Sequence, residues 1–286
     1  MRTKEPAVTN TFTAEVKVNK RRIAAQDSDR EVRELVLEIE DPGFTCEAGQ
    51  SIGIYAPPIR SDEQEHLRWY SIADAPERDD RRRPTISICV RRIVTTDPVS
   101  GTVQRGLASN YLCDRQTGDV LKLTGPRGVP FTIPPNPDAT VICIGTGTGL
   151  APFRHFLKSL ARQHPNWKGV VRLFYGTQNG LDVLYANNPD TDWEQYFDDE
   201  TFALMQRLSP PPNWADPIGW DLAYSERGDE LIRLLERPDT YVYVAGLKSI
   251  GERLDKLFGK LMGSANAWQL CKQELVAGGR WTELLY

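Results

Sequence analysis

The sequence predicts two domains of different class, a β barrel plus an α/β domain: an antiparallel barrel first, then a parallel-sheet domain. Three observations carry the prediction. A chain of 286 residues has room for two domains of about 150 residues each. Up to residue 134 it shows short β-branched or aromatic runs separated by turn residues, the pattern of a closed or nearly closed antiparallel barrel. Beyond the run Pro134-Pro135-Asn136-Pro137-Asp138, strand-like and helix-like segments alternate, which implies a parallel sheet with helices on both faces. The expected domains are therefore 1–134 and 135–286, joined by a stiff proline connection.

In the first domain the expected strands are Thr11 to Val18, Val32 to Ile39, Ser51 to Tyr55, Trp69 to Ala73, Thr85 to Ile93 and Val120 to Thr124. Asp41-Pro42-Gly43 and Gly125-Pro126-Arg127-Gly128 supply turn chemistry between them. A short helix is expected over Ser109 to Cys113 with Ser109 as its N-cap. In the second domain the order is strand Thr140 to Ile144, helix Pro152 to Gln163, strand Val170 to Gly176 and a helical region over Trp193 to Leu208. Strand Leu222 to Ser225, helix Asp229 to Leu235, strand Tyr241 to Ala245 and helix Ile250 to Leu261 follow. Pro210-Pro211-Pro212 reads as a loop.

Two runs carry chemistry. Gly145-Thr146-Gly147-Thr148-Gly149-Leu150-Ala151-Pro152 follows a hydrophobic strand and opens a helix. In that context glycines let backbone approach a pyrophosphate, and the helix start offers N–H groups and partial positive charge. The spacing is G-x-G-x-G, so the G-x-G-x-x-G dehydrogenase fingerprint is absent. The other run, Arg68-Trp69-Tyr70-Ser71-Ile72, reads as a flavin seat.

Taken together, these runs resemble the plant-type ferredoxin-NADP reductase family over nearly the whole chain. Arg68, Tyr70 and Ser71 match its R-x-Y-S motif, and Ser87-Ile88-Cys89-Val90-Arg91-Arg92 matches its next flavin segment. Gly106-Leu107-Ala108-Ser109-Asn110-Tyr111-Leu112 resembles its G-x-x-S-x-x-L element, and Gly246-Leu247-Lys248 and Tyr286 complete the order. The resemblance implies an FAD-binding barrel followed by an NAD(P)-binding domain. It implies that Arg68 pairs with the flavin pyrophosphate, Tyr70 packs on the isoalloxazine with Trp69 beside it, and Cys89, Val90 and Arg91 line the flavin. Ser109, with Gly106, Leu107 and Ala108, forms an anion hole for phosphate. Ser71 and Tyr286 are the catalytic candidates, Ser71 near the hydride-accepting nitrogen and Tyr286 covering the other flavin face until nicotinamide displaces it. Gly147, Thr148, Gly149, Gly176, Thr177, Gly246 and Leu247 are implied for the nicotinamide nucleotide, with Ser225 and Arg227 near its 2'-phosphate.

The chain departs from the family pattern in several places. Ala245 stands where the family has cysteine, Gly279 where a glutamate is common, and Thr95 where a tyrosine stacks on flavin adenine. FAD is expected, with FMN the lesser alternative. Ser225-Glu226-Arg227 replaces the family's Ser-Arg pair, and the downstream lysine-tyrosine clamp is deleted. Glu226 favours the free ribose of NAD(H) and Ser225 favours NADP(H), so NADP(H) is preferred only slightly over NAD(H).

Composition bounds the remaining choices. There are 35 Lys+Arg and 39 Asp+Glu, a formal net charge of -4, which excludes the strong basic excess of a nucleic-acid binder. Cys46, Cys89, Cys113, Cys143 and Cys271 are isolated, with no C-x-x-C or cluster spacing, and His66, His155 and His164 form no metal motif. No apolar run approaches the roughly 20 residues of a membrane span, and no signal peptide is read at Met1, so a cytoplasmic protein is expected. Lacking a cluster of its own, the chain is expected to pass hydride from NAD(P)H to FAD and then single electrons to a ferredoxin- or flavodoxin-like carrier. Lys20-Arg21-Arg22 and Arg81-Arg82-Arg83 are candidate docking cations. Two alternatives stay open: a reductase component serving a dedicated oxygenase, and a degenerate flavin- or partner-binding member that oxidises nicotinamide poorly.

Overall fold

The computed structural model describes residues 11–23, 31–58, 62, 64–77, 83–97, 99–177, 202–208 and 227–286. The chain divides into two compact units, Met1–Pro130 and Phe131–Tyr286.

Six strands close the barrel of the first unit: β1 (Thr11–Ile23), β2 (Val32–Ile39), β3 (Ser51–Ala56), β4 (His66–Glu77), β5 (Thr85–Arg91) and β8 (Val120–Arg127). Their order is β1-β2-β5-β4-β3-β8, and β8 returns to β1. Every pairing is antiparallel. Alternation explains the core, because successive side chains point to opposite faces. Ala14 and Val16, Leu35 and Leu37, Ile52 and Ile54, Ile86 and Ile88, and Leu121 and Leu123 all meet inside. Each of the Val, Leu and Ile side chains contributes about 1.5–3 kcal/mol when fully buried. A small hairpin, β6 (Val94–Thr96) with β7 (Val103–Arg105), stands apart as its own two-stranded sheet. Helix α1 (Leu107–Cys113) follows, and its Leu112 and Cys113 plug the barrel core.

Helix α1 begins two residues before the expected start. Gly106 is its N-cap and no side chain caps it, so Ser109 is not the cap. Its hydroxyl instead accepts from Ile93 N–H at 3.1 Å and donates to the Gly106 carbonyl at 3.2 Å, the local back-bonding that serine offers inside a helix.

The second unit is a five-stranded parallel sheet whose strands, taken in order across it, are Phe202–Leu208, Val171–Thr177, Thr140–Thr146, Thr240–Gly246 and Trp281–Leu285. The strands are β9 (Thr140–Thr146), β10 (Val171–Thr177), β11 (Phe202–Leu208), β12 (Thr240–Gly246) and β13 (Trp281–Leu285). The helices are α2 (Ala151–Gln163), α3 (Gly228–Leu235), α4 (Ser249–Leu261) and α5 (Ala265–Ala277). Residues 140–145 of β9 are all buried, as a central strand covered on both faces requires. On one face Ile142, Ile144, Val242 and Val244 pack with Leu231, Leu254, Phe258 and Trp268. On the other, the Tyr243 ring lies 4.4 Å from Phe156 and 5.4 Å from Phe131.

That aromatic contact explains the position of the boundary. Phe131 also stacks on Phe153 at 6.0 Å, and Tyr243 donates to the Thr132 carbonyl. The second unit therefore claims residues 131–134, which the sequence reading had placed in the first.

Other expectations are corrected in the same unit. Phe202–Leu208, expected as the end of a helix, is strand β11 and pairs in parallel with Val171–Thr177; residues 193–201 lie outside the described residues, as do the expected strand Leu222 to Ser225 and the Pro210-Pro211-Pro212 loop. Helix α5 and strand β13 were not expected. Among the described residues no helix is long and apolar enough to cross a membrane.

Candidate functional site

In the first unit the candidate residues are set out by β4. Strand alternation puts Arg68, Tyr70 and Ile72 on one face and Trp69 and Ser71 on the other. Ile72 is fully buried, and Tyr70 packs against the barrel core. Burial, with the nearby Cys113 thiol adding, raises the Tyr70 phenol above its ordinary pKa, so it stays neutral at physiological pH. Arg68 is exposed, with Nη1 donating to the Leu67 carbonyl at 2.9 Å. A half-buried phenol face beside an exposed guanidinium suits a planar aromatic ring attached to a diphosphate. Trp69 does different work: it pairs with Gly53 in the ladder, and the Arg127 guanidinium lies 5.4 Å from its ring centre. Ser71 pairs with Ser51.

Cys89 and Val90 are buried in β5, with Arg91 half-buried at its end. At the start of α1, Gly106 N–H donates to Ile93 carbonyl at 2.9 Å. The Ser109 hydroxyl is committed inward, as described above. Leu107 and Ala108 head the helix, where backbone N–H groups have no intrahelical acceptor.

The residues just after β5 hold a polar network that the sequence did not reveal. Arg92, 8% exposed, donates to Glu31 at 2.6 Å, Asn110 at 2.9 Å and Asp114 at 2.7 Å. Arg33 donates to the same Glu31 at 2.6 Å. The Asn110 amide closes on the carbonyls of Ile93 at 2.9 Å and Gly106 at 2.8 Å. Burial alone would raise the Glu31 pKa, but the hydrogen bonds from Arg92 and Arg33 outweigh it and hold the carboxyl below its ordinary value. The network fixes α1 against the end of β5. A charged doublet, Arg91-Arg92, was its one trace in the sequence.

In the second unit the strand register gathers most of the predicted nucleotide residues at one edge. Thr146 pairs with Gly176, Ala245 with Gly145, and Gly246 with Leu285. The glycine run, Gly176-Thr177, Gly246-Leu247 and Tyr286 thus share the carboxyl end of the parallel strands, where open α/β sheets bind ligands. After β9 the run forms a 310 turn, Gly147–Leu150, before α2. Gly147 adopts φ 54, a left-handed conformation that glycine takes without penalty. At Gly149 a Cβ would fall 2.4 Å from the Ala245 carbonyl, so only glycine lets the turn press against β12. The run's spacing is therefore accounted for partly by its own sheet, and not solely by a bound phosphate. The Tyr175 hydroxyl pins the turn from within, donating to the Gly147 carbonyl at 3.0 Å.

Tyr286 is held beside this turn. Its N–H donates to Gly246 carbonyl at 3.1 Å, and its carbonyl accepts from Lys248 N–H at 3.2 Å. The phenol oxygen lies 3.1 Å from Thr148 Oγ1, and the residue is 50% exposed.

Comparison with known proteins adds the family. The family described as "Oxidoreductase NAD-binding domain" matches residues 143–254. A ferredoxin–NADP reductase from a Spirulina species is 32% identical over 87% of this chain and 87% of its own length. The leaf isozyme 1 ferredoxin–NADP reductase of Arabidopsis thaliana is 31% identical over 97% of this chain and 78% of its own length. The chain belongs to the ferredoxin–NADP reductase family. A further ferredoxin–NADP reductase, from a Picosynechococcus species, is 33% identical, and the match spans 89% of this chain but 65% of that relative. Among solved structures, the ferredoxin–NADP+ reductase of Plasmodium falciparum superposes with a TM-score of 0.72, at 20% identity and 98% coverage of both chains.

Arg227 is engaged by a neighbouring carboxylate. Its Nη1 donates to Glu230 Oε2 at 3.1 Å, and Glu230 Oε1 accepts from Arg172 at 3.0 Å. Arg172 is the second residue of β10 and pairs with Ile142. Gly176 lies four residues farther on, about 13 Å along the strand. Glu230 thus bridges Arg227 to the first half of β10. Ser225 lies outside the described residues. Ala245 is fully buried and offers the ligand edge no thiol. Gly279 occupies the turn before β13 with φ 65, a conformation a glutamate side chain would strain. Glu283 in β13 is already engaged by Trp281 Nε1 at 2.6 Å and by Lys272 at 3.2 Å. Thr95 is exposed in β6, its hydroxyl donating to Gln104 carbonyl at 3.4 Å. None of the five cysteines forms a disulfide, and burial pushes Cys113 up to about 11 and Cys46 up to about 12, which leaves neither as a ready thiolate.

Proposed function

We propose that this chain is a flavoprotein reductase that moves electrons between NADP(H) and a ferredoxin-type one-electron carrier through FAD. The observation that carries the reading is the gathering of the glycine run, Gly176-Thr177, Gly246-Leu247 and Tyr286 at one sheet edge of a ferredoxin–NADP reductase family member. Bound FAD would supply the conversion between hydride and single-electron transfer that no side chain can perform.

The residues then take distinct roles. Arg68 pairs with the flavin diphosphate, a charge-assisted contact of about 1.5–3 kcal/mol. Tyr70 offers its neutral ring to the flavin face and Ser71 a hydroxyl near it, while the start of α1 adds backbone N–H groups for phosphate. Gly147, Thr148 and Gly149 bring backbone close to the nicotinamide nucleotide. Tyr286 occupies the place that nicotinamide takes. With Ala245 in place of a thiol, positioning by these groups supplies most of the acceleration. NADP(H) follows the relatives' names and the Ser225 reading, and ferredoxin follows the same names.

Purified protein is expected to be yellow and to bleach near about 450 nm, the flavin band, on anaerobic mixing with NADPH, more slowly with NADH. The reduced protein is expected to pass electrons to added ferredoxin, with a flavodoxin assayed in parallel. A colourless protein that takes up no flavin, or a yellow one that neither nucleotide bleaches, overturns the reading.

A further inference from the structure

We propose that Thr148 is a positioning residue whose hydroxyl latches the Tyr286 phenol over the glycine run and thereby sets how readily a nicotinamide ring enters. The inference rests on the NADP(H)-dependent reading above. Three bonds define the geometry. The Tyr286 backbone is tethered on both sides, to Gly246 carbonyl at 3.1 Å and Lys248 N–H at 3.2 Å, and the preceding Leu285 pairs with Gly246 in the ladder. With the main chain fixed, the half-exposed ring can leave its place only by turning about its own side-chain torsions. Such a turn must break the contact between the phenol oxygen and Thr148 Oγ1, 3.1 Å apart.

The other end of the latch is equally well held. Thr148 lies in the 310 turn Gly147–Leu150, its carbonyl accepting from Ala151 N–H, with Tyr175 bonded to the adjacent Gly147 carbonyl. A β-branched side chain has few torsional states, so this backbone presents the hydroxyl in a nearly fixed direction. A threonine hydroxyl carries one proton and two acceptor positions. Either hydroxyl can donate in this contact, and it holds the ring only while both are present.

The test is a double-mutant cycle on the flavin-loaded protein, read as the NADP+ dissociation constant by calorimetry or difference spectroscopy. Thr148→Val removes the hydroxyl at constant volume, and Tyr286→Phe removes its partner while keeping the ring. Each is expected to tighten NADP+ binding about fivefold, the factor matching a net hydrogen bond of about 1 kcal/mol. The double variant is expected to gain no more than either single one. Thr148→Ser is expected to restore wild-type affinity. Binding of 2'-phospho-AMP, which has no nicotinamide to displace the ring, is expected to show no coupling between the two positions. If the single effects multiply, or if Thr148→Val weakens NADP+ binding alike with either residue at 286, the latch is refuted while the functional reading stands. If the wild-type protein binds no NADP+ at all, the functional reading fails and takes the latch with it.

Discussion

Replacing Arg92 with methionine tests how the first unit holds α1 in place. The guanidinium is almost fully buried and donates to three side chains, Glu31, Asn110 and Asp114. Removing one partner of a buried ion pair costs about 3–5 kcal/mol when the other charge is stranded. Here Glu31 retains Arg33 at 2.6 Å, and the Asp114 side chain is 60% exposed and can return to water. The expected loss is therefore smaller, about 2–3 kcal/mol, mostly from the orphaned Asn110 oxygen and a half-compensated Glu31. For a unit of this size that lowers Tm by about 6–12 °C, read by thermal unfolding of the barrel. The pH dependence provides a second check. The Glu31 carboxyl titrates below its ordinary value of 4.5 in the folded state. Its contribution is therefore fully present above about pH 4.5 and is lost as pH falls through the depressed folded value. The gap in Tm between wild type and Arg92→Met should narrow over that acid range. A gap under about 2 °C at neutral pH, or one that does not change on acidification, refutes the account of the network.

Four further outcomes are expected. Arg68→Ala should lower flavin occupancy of the purified protein, measured as the ratio of flavin to protein absorbance, and full occupancy would count against the diphosphate anchor. Tyr286→Ser should strengthen NADP+ binding by removing the ring that competes for the nicotinamide's place, and a weaker complex contradicts that role. Arg227→Ala should leave the NADPH-to-NADH preference unchanged in steady-state kinetics, costing at most about 0.5 kcal/mol of stability because its i,i+3 pair with Glu230 is exposed; a large fall in preference would place the guanidinium at the 2'-phosphate after all. Lys272→Met severs contacts with Asp255 at 3.0 Å and Glu283 at 3.2 Å, so the second unit should lose about 1–2 kcal/mol in denaturant titration, and an unchanged midpoint would show that α5 and β13 do not depend on this lysine.

The parts legible in the sequence were those where one local rule dominates. β2 centres on the aliphatic run Leu35-Val36-Leu37, and its expected bounds coincide with Val32–Ile39. The glycine run was legible because it sits between a strand with an apolar centre, Val141 to Ile144, and a periodic helix. Helix α5 was not, since Trp268 and Leu275 are its only fully buried residues and Leu270 and Val276 face solvent, which blurs the stripe on which periodicity reading depends. Phe202–Leu208 has no strict alternation, and its strand identity comes from pairing with β10. Arg227 was read beside a 2'-phosphate because it follows Ser225 in the family's Ser-Arg position, while the side chains it meets, Glu230 and through it Arg172, come from the first turn of α3 and a strand more than fifty residues away. The Arg92 network joins Glu31 to a helix about eighty residues downstream, a relation no window of sequence contains.

The barrel's closing seam has a kinetic consequence. β1 meets β8 through pairs such as Thr11 with Thr124 and Glu15 with Val120, partners separated by more than about a hundred residues. Contacts that distant raise contact order, and chains dominated by them fold in about milliseconds to seconds instead of microseconds. Until the seam zips up, β1 and β8 each expose an unpaired edge able to recruit a neighbouring chain. Refolding yield of this unit should accordingly fall as protein concentration rises.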